Sequence, residues 1–241
     1  MDDHYALLAM RDYRVRANGP ELEKLFWDVF PSRQVRYWPL FLNKARDAGA
    51  FLEKTRPVRV ETRVTGWGAF VTEVRPLSPW MAVQWKRQLW YVSREGRMWN
   101  AASEMTPPTP FPRPLWRVSA NFDKQNQSAL PKGVFPSVFP MESIEGFLKD
   151  FGGAPWFGGV REVDLDRRAG SDLFKLRFVR GEQEFMILIQ KDKYEWRELE
   201  TALEGILDSL YREGVKRLLI DATYRGKIVL RELSSAAGEG G

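Results

Sequence analysis

The sequence predicts an α+β protein, and three features carry that reading. Residues 12–76 run strand, helix, helix, strand, strand. Residues 77–234 then give a series of short alternating segments split by proline-rich stretches, which predicts a larger, mostly antiparallel β domain. A last amphipathic helix precedes two closing strands, residues 215–223 and 227–233. Helices and strands grouped in blocks rather than strictly interleaved belong to the α+β class.

Residues 13–16 (YRVR) alternate as a strand, closed by the turn signal Asn18-Gly19. Pro20 suits a helix start, and ELEKLFWDVF puts Leu22, Leu25, Phe26 and Val29 on one stripe before Pro31 ends it. A second helix fits residues 37–54, where Trp38, Phe41, Leu42, Ala45, Ala48 and Leu52 recur at helical spacing. Residues 58–64 (VRVETRV) and 69–75 (AFVTEVR) alternate around Gly66-Trp67-Gly68. These two strands are expected to pair in one sheet with residues 13–16, under both helices. Burying each large side chain there is worth roughly 1.5–3 kcal/mol.

Beyond Pro76 and Pro79 the texture changes. Residues 80–85 and 88–92 read as strands, and a Gly-bearing turn (SREG) joins the latter to residues 97–100 as a hairpin. Five prolines in TPPTPFPRP, residues 106–114, forbid regular structure, and residues 119–140 also read as loop. Residues 141–151 fit a short helix with Ile144, Phe147 and Leu148 on one face. Residues 160–166, 173–180 and 184–190 follow as strands, the last two around Arg180-Gly181. Leu199, Leu203, Ile206, Leu207 and Leu210 define a helix over 194–213, with Gly214 as its C-cap. Residues 1–11 are an N-terminal segment and residues 235–241 a tail expected to be disordered.

Composition narrows the chemistry. With 44% hydrophobic and 29% charged residues, the chain reads as globular; ten Trp and 15 Phe supply core payload. It has no Cys, and His4 is its one histidine. A thiolate nucleophile, a Ser-His-Asp triad and a His-rich zinc site are therefore excluded. No metal or cofactor is expected. The net charge of +5 suits a solvated basic face before it suits an anionic partner. No apolar run of 18 residues and no signal peptide is visible, so the chain is either cytosolic or preceded by an anchor.

Carboxylate pairs are the remaining catalytic currency. Asp164 and Asp166 alternate on one strand, about 7 Å apart by strand geometry. With Arg161, Arg167 and Arg168 around them, they read as a solvated strand face. Glu142 and Glu145 suit a helix first turn. FGGAPWFGGV, residues 151–160, lacks phosphate-loop spacing and reads as a mobile aromatic loop. WKRQLW, residues 85–90, interleaves basic and aromatic residues, but Lys86-Arg87 falls at a turn between strands.

The ordered pieces together resemble the extracytoplasmic part of the FtsQ/DivIB bacterial cell-division proteins. The β-α-α-β-β unit is similar to their polypeptide-transport-associated (POTRA) domain. VTEVRPLSPWMAVQW followed by WYVSREGRMW resembles the join to their β domain, and LLIDATYRGKIVLRE resembles their closing strand pair. Thr223 stands where that family usually has Arg. The resemblance implies a non-enzymatic septum-assembly scaffold, anchored in the inner membrane and exposed on its extracytoplasmic face. It further implies FtsB/DivIC- and FtsL-type partners, docked by strand addition at the C-terminal edge. Tyr224, Lys227, Ile228, Val229 and Arg231 are then the partner-binding residues, Tyr224 as an aromatic anchor and Lys227 and Arg231 as charge contacts. The alternatives are a POTRA-type factor of protein translocation or outer-membrane assembly, and a carboxylate-dependent glycan hydrolase.

Overall fold

The computed structural model describes residues 9, 11–30, 37–103, 113–118, 132–168, 170–193 and 195–233. In chain order the elements begin β1 (Asp12–Ala17), α1 (Pro20–Val29), α2 (Trp38–Thr55), β2 (Val58–Gly66) and β3 (Ala69–Pro76). Next come β4 (Met81–Trp85), β5 (Gln88–Val92), β6 (Arg97–Asn100), β7 (Leu115–Val118) and β8 (Val134–Pro136). The remainder are α3 (Met141–Phe151), β9 (Val160–Arg168), β10 (Ser171–Arg180), β11 (Gln183–Gln190), α4 (Trp196–Arg212), β12 (Arg217–Tyr224) and β13 (Lys227–Glu232). The α+β class is as the sequence predicts.

The chain gathers into two compact units. The first comprises residues 1–79 with residues 93–107 and 129–136; the second takes the rest. The units are thus interleaved in sequence, where a single boundary near Pro76 was the expectation.

In the first unit β3 lies between β1, its parallel neighbour, and β2, its antiparallel one. Both helices share one core with this sheet: Phe26 and Phe30 from the α1 region, Phe41, Ala45 and Leu52 from α2, Val58, Phe70 and Val74 from the strands. The expected sheet under two helices is what forms. Tyr13 packs against this core, its ring 4.8 Å from Phe41 and 4.7 Å from Phe70. Burial pushes its phenol up to about 12, partly offset by the hydrogen bond Tyr13 Oη donates to Thr72 Oγ1.

Strands β6 and β8 pair antiparallel within this unit. Arg97 ties β6 to the α2–β2 corner, donating to the Val58 carbonyl at 3.1 Å and to the Glu53 carbonyl. Gly133 is required beside it: its φ is +79°, and a Cβ there would lie 2.3 Å from the Lys54 carbonyl oxygen. Residues 134–136 are therefore a strand, not the loop the sequence suggested. Three residues ending in proline are too short for alternation to reveal them.

In the second unit the strand order is β13-β12-β11-β10-β9-β7-β4-β5. Four of these ladders are antiparallel, while β7 is parallel to both neighbours and β11 to β12. Helix α3 covers one face, with Phe147 stacked on Phe174 at 4.3 Å and edge-on to Trp116. The expected mobile loop at 151–160 is instead a packed plug. Pro155–Gly159 form a 3-10 turn, and Phe151, Ala154, Trp156 and Phe157 are buried. Large aromatic area at three of ten positions outweighs the glycines' freedom.

The WKRQLW segment is a tight hairpin. Lys86 and Arg87 both hold positive φ, at 48° and 62°, which the two-residue turn between β4 and β5 demands. Trp85 and Trp90 are buried, so their faces are core rather than a stacking platform.

Candidate partner-binding edge

Strand β13 ends the sheet of the second unit and, among the described residues, pairs only with β12. Leu218, Leu219, Ile220 and Asp221 face Glu232, Arg231, Leu230 and Val229; a bulge follows, and Tyr224 faces Lys227 across the Arg225-Gly226 turn. Gly226 has φ +72°, so the turn is made where the sequence placed it.

Partners directly opposite in a ladder point to the same side of the sheet. Leu230 therefore shares the side of Leu218 and Ile220, both buried. Val229 and Arg231 share the other side with Asp221 and Leu219. Leu230 is 47% exposed and Tyr224 40%, while Ile228 and Val229 are half-buried. The edge thus offers apolar surface on both sides of its backbone rail.

The structure brings three of the five expected contact residues, Tyr224, Lys227 and Arg231, into one cluster. Lys227 Nζ lies 5.2 Å from the Tyr224 ring centroid. Arg231 Nη2 donates to Tyr224 Oη at 2.9 Å and pairs with the Asp221 carboxylate at 3.5 Å. Asp221 is buried, and its other oxygen accepts both the amide N–H and the hydroxyl of Thr223, the latter at 2.6 Å. Arg231, expected as a charge contact for a partner, is thus already engaged within the chain. Thr223 completes the shell of the same aspartate. Val229 joins this side; Ile228 lies at the bulge of the β12–β13 ladder.

Sequence reasoning missed a ladder of charges on the side of the sheet that α3 does not cover. Arg117 on β7 pairs with Glu162 on β9 at 3.0 Å, and Arg177 on β10 bridges Glu162 at 3.3 Å and Glu184 on β11 at 2.6 Å. Arg217 on β12 closes the row on Glu184 at 3.4 Å. The hydrogen bond from Arg177 holds the Glu184 carboxyl below its usual range. Only the cross-strand register makes this row, and one chain's sequence does not print it.

Asp164 also departs from its expected setting. It faces Lys175 on β10 and Arg117 on β7, not the arginines near it in sequence. One carboxylate oxygen is buried without a hydrogen-bond partner. Desolvation raises its pKa, opposed by Arg117 and Lys175 and aided by Glu162. Arg167 instead pairs with buried Asp172 at 3.1 Å.

A cleft of about 560 Å³ lies between the 3-10 turn, β10 and α4, lined among others by Trp156, Phe178, Arg161, Arg180, Glu204 and Asp208. Its two acids stand one turn apart on α4, and Asp208 pairs with Arg180 at 3.2 Å. Among the described residues no three His, Asp or Glu side chains are grouped to hold a metal ion, and no helix is long and apolar enough to cross a membrane.

Compared with known proteins, the chain matches no family model and no curated sequence.

Proposed function

We propose that this chain is a non-enzymatic scaffold of bacterial septum assembly, of the FtsQ/DivIB kind. It works at the extracytoplasmic face of the inner membrane and recruits FtsB/DivIC- and FtsL-type partners. The observation that carries the reading is the β13 edge, apolar on both sides and bordered by the Tyr224 cluster. An added strand takes its affinity from the backbone rail, and its alternate side chains reach Leu230 on one side and Val229 on the other. The β-α-α-β-β order of the first unit supports the POTRA part of the same reading.

Strand addition has a specific signature. Successive residues of a strand point their N–H groups in opposite directions, so of Ile228 and Val229 one donates towards β12 and the other outwards. A proline at each position in turn removes one donor. Titration calorimetry against an FtsB/DivIC-type extracytoplasmic segment should separate them. One proline variant should loosen the β12–β13 pairing and lower Tm, while the other keeps its Tm and loses binding at least tenfold. Tyr224→Ala, which leaves the backbone intact, should weaken binding without altering the fold. Unchanged binding by both well-folded proline variants would exclude docking at this edge.

A further inference from the structure

Ten large hydrophobic side chains are exposed among the described residues, and four of them gather at one end of the first unit. Tyr37 (38% exposed) caps α2, and Leu40 (56%) lies in its first turn. Trp67 (58%) is the tip of the β2–β3 hairpin, and Val64 (50%) sits just before it. The Trp67 ring meets Trp38 of α2 edge-on, 5.6 Å between centroids, so hairpin tip and helix start form one surface. Val64 pairs with Phe70, whose ring lies 5.3 Å from Phe41 of α2, which places Val64 on the helix side of the sheet.

We propose that this end of the first unit is a membrane-contact surface that seats on a bilayer containing anionic phospholipid. The residue types fit that occupant: Trp and Tyr settle at the headgroup level, with an apolar body and a polar rim, and Leu40 and Val64 supply the part that enters the acyl boundary. The shape fits too. Trp67 at a hairpin tip and Leu40 in the first turn of a helix are both more than half exposed and line no groove found among the described residues.

Charge agrees. Arg11 packs against the hairpin tip, its amide bonded to the Gly68 carbonyl at 2.8 Å. Two positions before Tyr13, it faces the helix side of the sheet, while Asp12 faces away. Lys44, exposed, follows Leu40 by one helical turn, and α2 has no acidic residue in its first turn. Ala9, just before β1, bridges to Tyr37 at this same end.

Flotation with vesicles tests this. The 241-residue chain should float with phosphatidylglycerol/phosphatidylethanolamine vesicles, more weakly as salt rises, and little with phosphatidylcholine alone. Trp67→Ser and Leu40→Ser should each lower the partition coefficient about tenfold, the loss expected when one large side chain no longer leaves water. Phe51→Ser, at an equally exposed position near the other end of α2, should leave it unchanged. Circular dichroism checks that each variant folds. Failure of the wild-type chain to float, or equal losses for all three variants, overturns the proposal. So does a Trp67-dependent dimer in sedimentation without flotation, which assigns the surface to a second copy. The proposal stands apart from the septum reading: a chain that floats but binds no division partner keeps this surface and loses that function.

Discussion

The two sides of the large sheet are built on opposite principles. On one side Phe174, Leu176, Phe178, Phe185, Ile187 and Ile189 are buried, with Phe147 and Phe157 packed among them. On the other, the row Arg117, Glu162, Arg177, Glu184, Arg217 alternates in sign across five strands, its side chains half-exposed. Dispersion and desolvation hold the first side at full strength, whereas water screens every pair on the second. The dry side fixes the fold; the charged side keeps a broad open sheet soluble. At β13 the two regimes meet, with Leu230 on the dry side and Val229 and Arg231 on the charged one, and there the rail of backbone groups ends. A partner strand would extend both sides at once.

The comparison breaks most readily on the dry side. Phe174→Ala removes a ring that is fully buried and stacked on Phe147 at 4.3 Å. Urea denaturation should show a loss of about 3–5 kcal/mol, because the deleted ring leaves a cavity its neighbours cannot fill. A loss below 1 kcal/mol, on the scale of a surface change, would mean that α3 does not close this side.

That side was legible in the sequence because burial leaves a period. The leucines of α4 and the alternation of β10 and β11 name their inward residues directly, and Gly181 and Gly226 mark the turns. β7 was not legible. Its four residues follow a proline run, and its parallel partners lie some distance away in the chain, on β4 and β9. The charge ladder was hidden for the same reason: Arg177 is read as an ordinary exposed arginine until its register against Glu162 and Met186 is known. The edge was half legible. A closing strand announces itself, but the commitment of Arg231 to Asp221 and Tyr224 follows only from the β12–β13 register.

Asp164 sharpens the contrast, since it is a charge on the open side that behaves as partly buried. Its folded pKa is raised, so the folded state binds its proton more tightly than the unfolded chain. Its contribution to stability is fully present below the unfolded value of about 3.9 and is lost as pH rises through the folded value. Asp164→Asn should therefore stabilise the protein at neutral pH by about 1 kcal/mol or less, the scale of one poorly satisfied polar group. That gain should fade below about pH 4. A variant less stable than wild type at neutral pH would show that Arg117 and Lys175 outweigh the desolvation.

The smallest effect belongs to the ladder itself, and its smallness is what the comparison requires. Arg177 donates to two carboxylates, yet its side chain and both partners keep contact with water. An exposed pair of this kind contributes about 0.2–1 kcal/mol, and Arg177→Gln should lose no more than that at low ionic strength. Two dependences identify the loss as electrostatic. Added salt should shrink it, because the Debye length falls to about 3 Å at 1 M. Acid should shrink it as well. The folded pKa of Glu184 is depressed, so its stabilising share exists above the unfolded carboxylate value of about 4.3 and disappears as pH falls through the folded value. Midpoints measured for wild type and variant across pH and salt should therefore converge at low pH and at high salt. If Arg177→Gln instead destabilised the fold as strongly as Phe174→Ala, with no dependence on either variable, the open side would be a second core and β13 would border no solvated sheet for a partner strand to extend.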